Sequence, residues 1–205
     1  MRPGAYRISG WTLFIVSIMV LSLAPPVTSS TTVIVWSGIV NLPDGAVIYD
    51  DQVVQVQPGT EIRIGEGESI EIDGRLSVQG TENEQVIVNS IAGKHDGIHF
   101  TPSSRGLGSS ISHLKIENAS RGIVVDDSDP IMNNVTVLNA DFVAVDLFSS
   151  ANPRIHNLTM LGGGQDIHGI SGTWRYGIGL SVGSGSAPVV NGLMADSLIT
   201  RALNV

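Results

Sequence analysis

The 205-residue chain has no cysteine, so no disulfide framework can hold it and its stability must come from packing. Aromatic residues make up only 5% of it, against 42% hydrophobic residues. The core must therefore be built from Val, Ile and Leu, and it is expected to be long and thin. Positive charge is scarce as well, with 11 Lys and Arg against 19 Asp and Glu for a net charge of −8. Such a chain offers no basic footprint to a phosphate backbone, which makes nucleic acid a poor partner. What it has in quantity is glycine, 24 residues, scattered among Ser, Asn and Asp. Regularly spaced apolar pairs interrupt every polar stretch, so these residues mark frequent turns and not disorder.

The first thirty residues are of a different kind. Arg2 and Arg7 precede an uncharged apolar run from Trp11 to Ala24, then Pro25, Pro26 and a small polar tract ending near Ser30. The run is shorter than the roughly 20 residues of a membrane span and suits the core of an export signal. Residues 1–30 are accordingly read as a signal peptide cleaved between Val27 and Ser30, with an uncleaved N-terminal anchor as the alternative. Cleavage would remove two positive charges and no negative ones, taking the net charge from −8 to −10. The expected location is extracellular or at the cell surface.

The remainder is organised around Gly122 to Val125, the sequence GIVV, whose alternating pattern recurs along the chain. Its inward positions would be Ile123 and Val125. The expected equivalents are Ile70 and Ile72, Ile98 and Phe100, Val145 and Leu147, Ile178 and Leu180, and Leu203 and Val205. All are apolar. The residues between partners, among them His99, Val124, Asp146 and Gly179, share no hydrophobicity, as expected where every second side chain faces water. A second column aligns Leu114 and Ile116, Val135 and Val137, Leu158 and Met160, and Leu193 and Ala195. Upstream of it Ile111, Met132, Ile155 and Val190 align, the last three each two residues after Pro130, Pro153 or Pro188. Each coil is thus expected to hold three short strands and three corners. A period of 20 to 30 residues built on two-residue alternation means stacked coils and not one closed sheet.

The run VVQVQPGTEIRIGEGESIEIDGRLSVQGT, the following GI-x-F segment and later repeats of the form P-x-φ-x-N-φ-x-φ resemble the right-handed parallel β-helix proteins of pectate-lyase-like fold. More closely, they resemble exported β-helix repeat proteins of archaea and bacteria. The resemblance covers Val53 to the end. It implies an all-β, right-handed parallel β-helix of about six coils over residues 57–205, with residues 31–56 as an N-terminal cap. Val205 falls within a strand, so further coils and a C-terminal anchor are expected beyond it. The fold is shared by lyases, hydrolases, adhesins and surface-layer proteins, and does not choose among them.

Several residues are candidates for function. Asp126, Asp127 and Asp129 fill the corner after GIVV and are weak catalytic candidates, because β-helix pectinases use paired aspartates to activate water. The accompanying motifs of that type are not in place: Asp166, His168 and Gly169 are present, but Arg154, Ile155 and His156 come too early. The same three aspartates could begin a calcium site, which wants 6 to 8 oxygen ligands; no cofactor is otherwise required. The long segment from Leu161 to Tyr176 carries Asp166, His168, Trp174, Arg175 and Tyr176, an aromatic and polar set suited to a sugar ring, although Trp174 could equally shield the coil beneath. Asn134 and Asn157 are read as a corner ladder, and Asn118 as the better glycosylation sequon. The histidines at 95, 99, 113, 156 and 168 show no metal-ligand spacing and are read as surface residues. The expected function is a non-catalytic surface scaffold, adhesin or carbohydrate-contacting module with polysaccharide or cell-envelope partners. The alternative is a polysaccharide lyase or glycosidase acting in the groove over the GIVV column.

Overall fold

A computed structural model describes residues 30–169, 172–196, 198 and 201–204, giving 165–169, 172–176, 201, 202 and 204 by backbone alone. The two-residue alternation is realised as strands that return to the same three lines, coil after coil. The first coil is β1 (Thr32–Trp36), β2 (Ile39–Leu42) and β3 (Ala46–Ile48). The second is β4 (Gln52–Val56), β5 (Glu61–Ile64) and β6 (Ile70–Ile72), and the third β7 (Arg75–Gln79), β8 (Val86–Ser90) and β9 (Ile98–Phe100). From the fourth coil on, the first two strands run together: β10 (Ser110–Glu117) is followed by β11 (Arg121–Asp126), and β12 (Ile131–Ala140) by β13 (Val143–Phe148). The sixth coil has β14 (Arg154–Gly163), a hairpin of β15 (Gln165–Gly169) and β16 (Gly172–Tyr176), and then β17 (Ile178–Val182). The seventh has β18 (Val189–Asp196) and β19 (Arg201–Asn204).

The fused strands keep the identity of their halves. Ser110 to Ser112 of β10 pair with β7, whereas Leu114 to Ile116 pair with β8. Between the halves stands His113, whose φ of 49° turns the chain through a left-handed residue. Asn134 (φ 53°), Asn157 (φ 57°) and Gly192 (φ 82°) repeat that turn in β12, β14 and β18. Among the described residues every pairing apart from the hairpin is parallel, and the strands alternate between a ten-stranded and a seven-stranded sheet, in register, as in a parallel β-helix. No α-helix occurs among the described residues.

The core confirms most of the expected columns. Ile70, Ile98, Ile123 and Val145 stack in register, as do Ile72, Phe100, Val125 and Leu147. All eight are at most 1% exposed. They belong to one apolar cluster running from Ile48 to Leu180, in which each fully buried Val, Leu or Ile contributes about 1.5–3 kcal/mol relative to exposure. The second column also stands, with Leu114, Val135, Leu158 and Leu193 aligned, and Ile111, Met132, Ile155 and Val190 upstream.

Three expectations need correction. Val145 stacks on Leu180, and Leu147 on Val182, while Ile178 pairs with Val143; Leu203 accordingly falls on Leu180. The displacement is two residues, which leaves inward side chains inward, so hydrophobicity alone could not reveal it. Among the described residues the stack has seven coils and not six, as the seven strands of the third column show. The extra one comes from residues 31–56, whose strands occupy the same columns: β1 pairs with β4, β2 with β5 and β3 with β6. Leu193, although in register, is 42% exposed. Residues 1–29 of the expected export signal (1–30), and Val205, lie outside the described residues.

Candidate functional site

The seven-stranded sheet presents an outward stripe along the stack. Glu71 is in register with His99, His99 with Val124, Val124 with Asp146, and Asp146 with Ser181. Parallel strands bring successive members to about 4.8 Å from one another. From Glu71 to Ser181 the stripe is polar except at Val124, which faces outward yet is only 4% exposed. Side chains from the corners therefore cover the middle of this face.

Two shallow clefts flank the covered point, and Arg121 lines both. One, of about 150 Å³, is formed by Ser69, Asp96, His99, Arg121, Val124 and Phe148. The other, of about 180 Å³, is formed by Arg121, Phe142, Val143, Asp146, Ile178 and Ser181. Arg121 opens β11 and is exposed. Here the third and fourth coils pass close to one another: a Cβ on Gly97 (φ +78°) would meet the Gly122 carbonyl oxygen at 2.1 Å and that of Arg121 at 2.2 Å. Only glycine passes there without strain. The side chain of His99 has its own peculiarity, because its Nε2 is buried and has no hydrogen-bond partner among the described residues.

The aspartate corner is tied to the coil that precedes it. Asp127, at φ 41°, is ion-paired with Arg105 of the preceding coil. Asp129 accepts a hydrogen bond from the Gly106 amide at 2.8 Å. Asp126 ends β11, in register with Phe148. Two of the three carboxylates are thus engaged in joining coils. Among the described residues, no group of three or more His, Asp or Glu side chains is placed to hold a metal ion, this corner included. Beside it Arg105, Gly106, Gly108, Asp129, Ile131, Asn152 and Arg154 line an open cleft of about 380 Å³.

The asparagines form two ladders where one was expected. Asn157 donates through Nδ2 to Asn134 Oδ1 at 2.9 Å, and Asn134 Nδ2 lies 3.1 Å from His113 Nε2. Asn118, at φ 57°, donates in the same manner to Asn89 Oδ1 at 3.0 Å. The Nδ2 of Asn118, Asn134 and Asn157 alike is engaged in a contact to the preceding coil. Gly192 ends the first ladder, since a Cβ there would strike Oδ1 of Asn157 at 2.6 Å.

His95 is not a surface residue. It is 0% exposed, accepts a hydrogen bond from the Gly97 amide through Nδ1 at 2.9 Å, and places Nε2 3.0 Å from the Glu117 carbonyl. With Nδ1 accepting, Nε2 must carry the proton and donate, which defines a neutral imidazole. Burial pushes its pKa below the ordinary value of 6.5; the Glu117 carbonyl and Asp96 act in the opposite direction, and Lys94 with the burial.

The long segment after β14 is an antiparallel hairpin, with Asp166 in register with Arg175, Ile167 with Trp174, and His168 with Thr173. The side chains of Asp166, His168, Trp174, Arg175 and Tyr176 lie outside the described residues. Sequence reasoning passed over Ser69, Asp96 and Phe148, and had no ground for preferring Arg121. The signal was available in the register itself: residues between inward partners, unremarkable one at a time, form a line once the coils are aligned. Comparison with protein-family models, curated proteins and solved structures finds no match to the chain, so what it is similar to rests on its parallel β-solenoid architecture.

Proposed function

We propose that the chain is an exported cell-surface β-helix, of the right-handed pectate-lyase-like kind found in archaeal and bacterial repeat proteins. Its work is to hold carbohydrate against a rigid face without transforming it. The observation that carries this reading is the pair of clefts sharing Arg121. They combine Phe142 and Phe148 with Arg121, Asp96, Asp146, Ser69 and Ser181 along one line of the stack. Apolar surface interspersed with donors and acceptors is what a sugar ring requires. A scaffold of in-register strands fixes those groups before any ligand arrives, which spares the ordering cost of binding.

The engagement of Asp127 by Arg105 and of Asp129 by the Gly106 amide favours binding over hydrolysis, because a pair of carboxylates acting as acid and base must be available to sugar and water. The export address rests on Arg2, Arg7 and the apolar run from Trp11 to Ala24. The test is a glycan array probed with the full chain and with Arg121→Ala, followed by a search for unsaturated or reducing-end products from every retained glycan. Retention lost in the variant, with no product from either protein, is expected. Product formation, or no retention at all, would overturn the reading.

A further inference from the structure

We infer that the cleft of Asp96, His99 and Arg121 takes an uncharged sugar ring and discriminates against uronates, with His99 as the specificity-determining residue. This rests on the carbohydrate reading above. The first observation is the partnerless Nε2 of His99, buried in a residue that lines the cleft. A buried polar atom with nothing to bond is rare in a settled surface, because it has given up water and gained nothing. A ligand group that reaches it recovers that loss.

The chemistry of the surrounding groups narrows the ligand. Asp96 only accepts, Arg121 only donates, Ser69 does both, and His99 Nε2 donates or accepts according to its tautomer. A hydroxyl complements every one of these, since it donates and accepts at once. A carboxylate can satisfy only the donors. Val124 and Phe148 add apolar surface for the C–H face of a ring. Of the charged groups lining the two clefts, Asp96 and Asp146 are acidic and Arg121 basic, and Glu71 lies next to His99 along the stripe. A uronate would bring negative charge to a face that is already negative, on a chain of net charge −8.

Reaching Nε2 requires a side chain of the cleft to shift. Arg121 has no ion pair or hydrogen bond with a described residue, so its guanidinium moves without giving anything up. The volume of about 150 Å³ lies below the roughly 300–1,000 Å³ of sites that enclose drug-sized ligands, in keeping with one ring seated at the surface.

The experiment measures affinity of the full chain for glucan, mannan and galactan hexasaccharides and for an oligogalacturonate of equal length, at low salt. His99→Leu, His99→Gln and Asp96→Asn are compared with the parent, and melting of each variant verifies that the outward substitutions leave the stack folded. At least one neutral glycan is expected to bind about tenfold or more tighter than the uronate. His99→Leu should lose about tenfold of that affinity, His99→Gln should keep most of it, and Asp96→Asn should narrow the gap to the uronate. A uronate bound as well as the neutral glycans, or neutral binding unchanged in His99→Leu, would overturn this inference and leave the carbohydrate reading standing. Failure of every glycan to bind the parent would overturn both.

Discussion

Asn157 hands its Nδ2 hydrogen to the Oδ1 of Asn134 one coil earlier, at 2.9 Å, and both residues hold a left-handed backbone to do so. The contact unites two contributions that usually have to be inferred together: tolerance of positive φ and a hydrogen bond along the stack.

Substitution at Asn134 can separate the two. Asn134→Gly keeps the backbone conformation and removes the ladder bonds, so a loss of about 1 kcal/mol is expected. Asn134→Leu also forces a branched side chain into the left-handed region, which adds about 1–2 kcal/mol. Urea denaturation of both variants checks the ordering; equal losses would mean that the backbone conformation contributes nothing.

Register at the sixth coil yields a second prediction. Leu180 is 2% exposed and stacks on Val145, whereas Ile178 is half-buried at the cleft beside Arg121. Leu180→Ala should cost about 2–5 kcal/mol, and Ile178→Ala about half of that or less. Ile123→Asp, placing a carboxylate between Ile98 and Val145, should cost about 3–5 kcal/mol and abolish cooperative unfolding. Chemical denaturation of the three variants measures this, and a parent-like melt for Ile123→Asp would contradict the register.

Two glycines with similar backbones should respond differently to alanine. Gly67, at φ +72°, has nothing within 4 Å of a new Cβ, while Gly97, at φ +78°, has the Gly122 oxygen at 2.1 Å and the Arg121 oxygen at 2.2 Å. Gly67→Ala should lose about 1–2 kcal/mol from conformation alone. Gly97→Ala should lose more than about 3 kcal/mol, since two coils must separate. Thermal melting of each distinguishes strain from collision.

His95 makes stability depend on pH in a definite direction. Its folded pKa is depressed, chiefly by burial, so the unfolded chain binds the proton more readily. The stability it contributes is present in full above the unfolded value near 6.5, and it is lost as pH falls below that value and through the folded pKa. Protonation also requires Nδ1 to give up the Gly97 amide. Unfolding followed between about pH 8 and about pH 5 should show a decline in the parent that His95→Gln flattens; identical slopes would remove His95 from the account.

Why some of this was legible in sequence and some not can be argued from single residues. Ile123 and Val125 were readable because inward pairs recur as apolar pairs, and burial leaves selection of residue type few options. Ile178 was misplaced because a shift of two preserves the face, and Leu180 is as apolar as Ile178. His95 was missed because its burial depends on the Gly97 amide and the Glu117 carbonyl, groups that no side-chain pattern announces. Arg121 did not stand out, since its importance comes from lying beside Asp96, Phe148 and Asp146, residues that reach it from the coils before and after its own.

The hairpin of β15 and β16 leaves the stack at Gly164, whose amide bonds the Ala140 carbonyl at 3.0 Å, and returns at Gly177 and Ile178, whose amides both bond the Phe142 carbonyl at 3.2 and 2.9 Å. Departure and return are thus moored two residues apart on the coil beneath, and the strands on either side remain paired as though nothing had been inserted. The corner works as a splice point. A segment of any length whose ends can approach one another is accommodated there without disturbing the ladder, which makes residues 165–176 the place to graft a foreign epitope or a new recognition loop while the rest of the molecule serves as its handle.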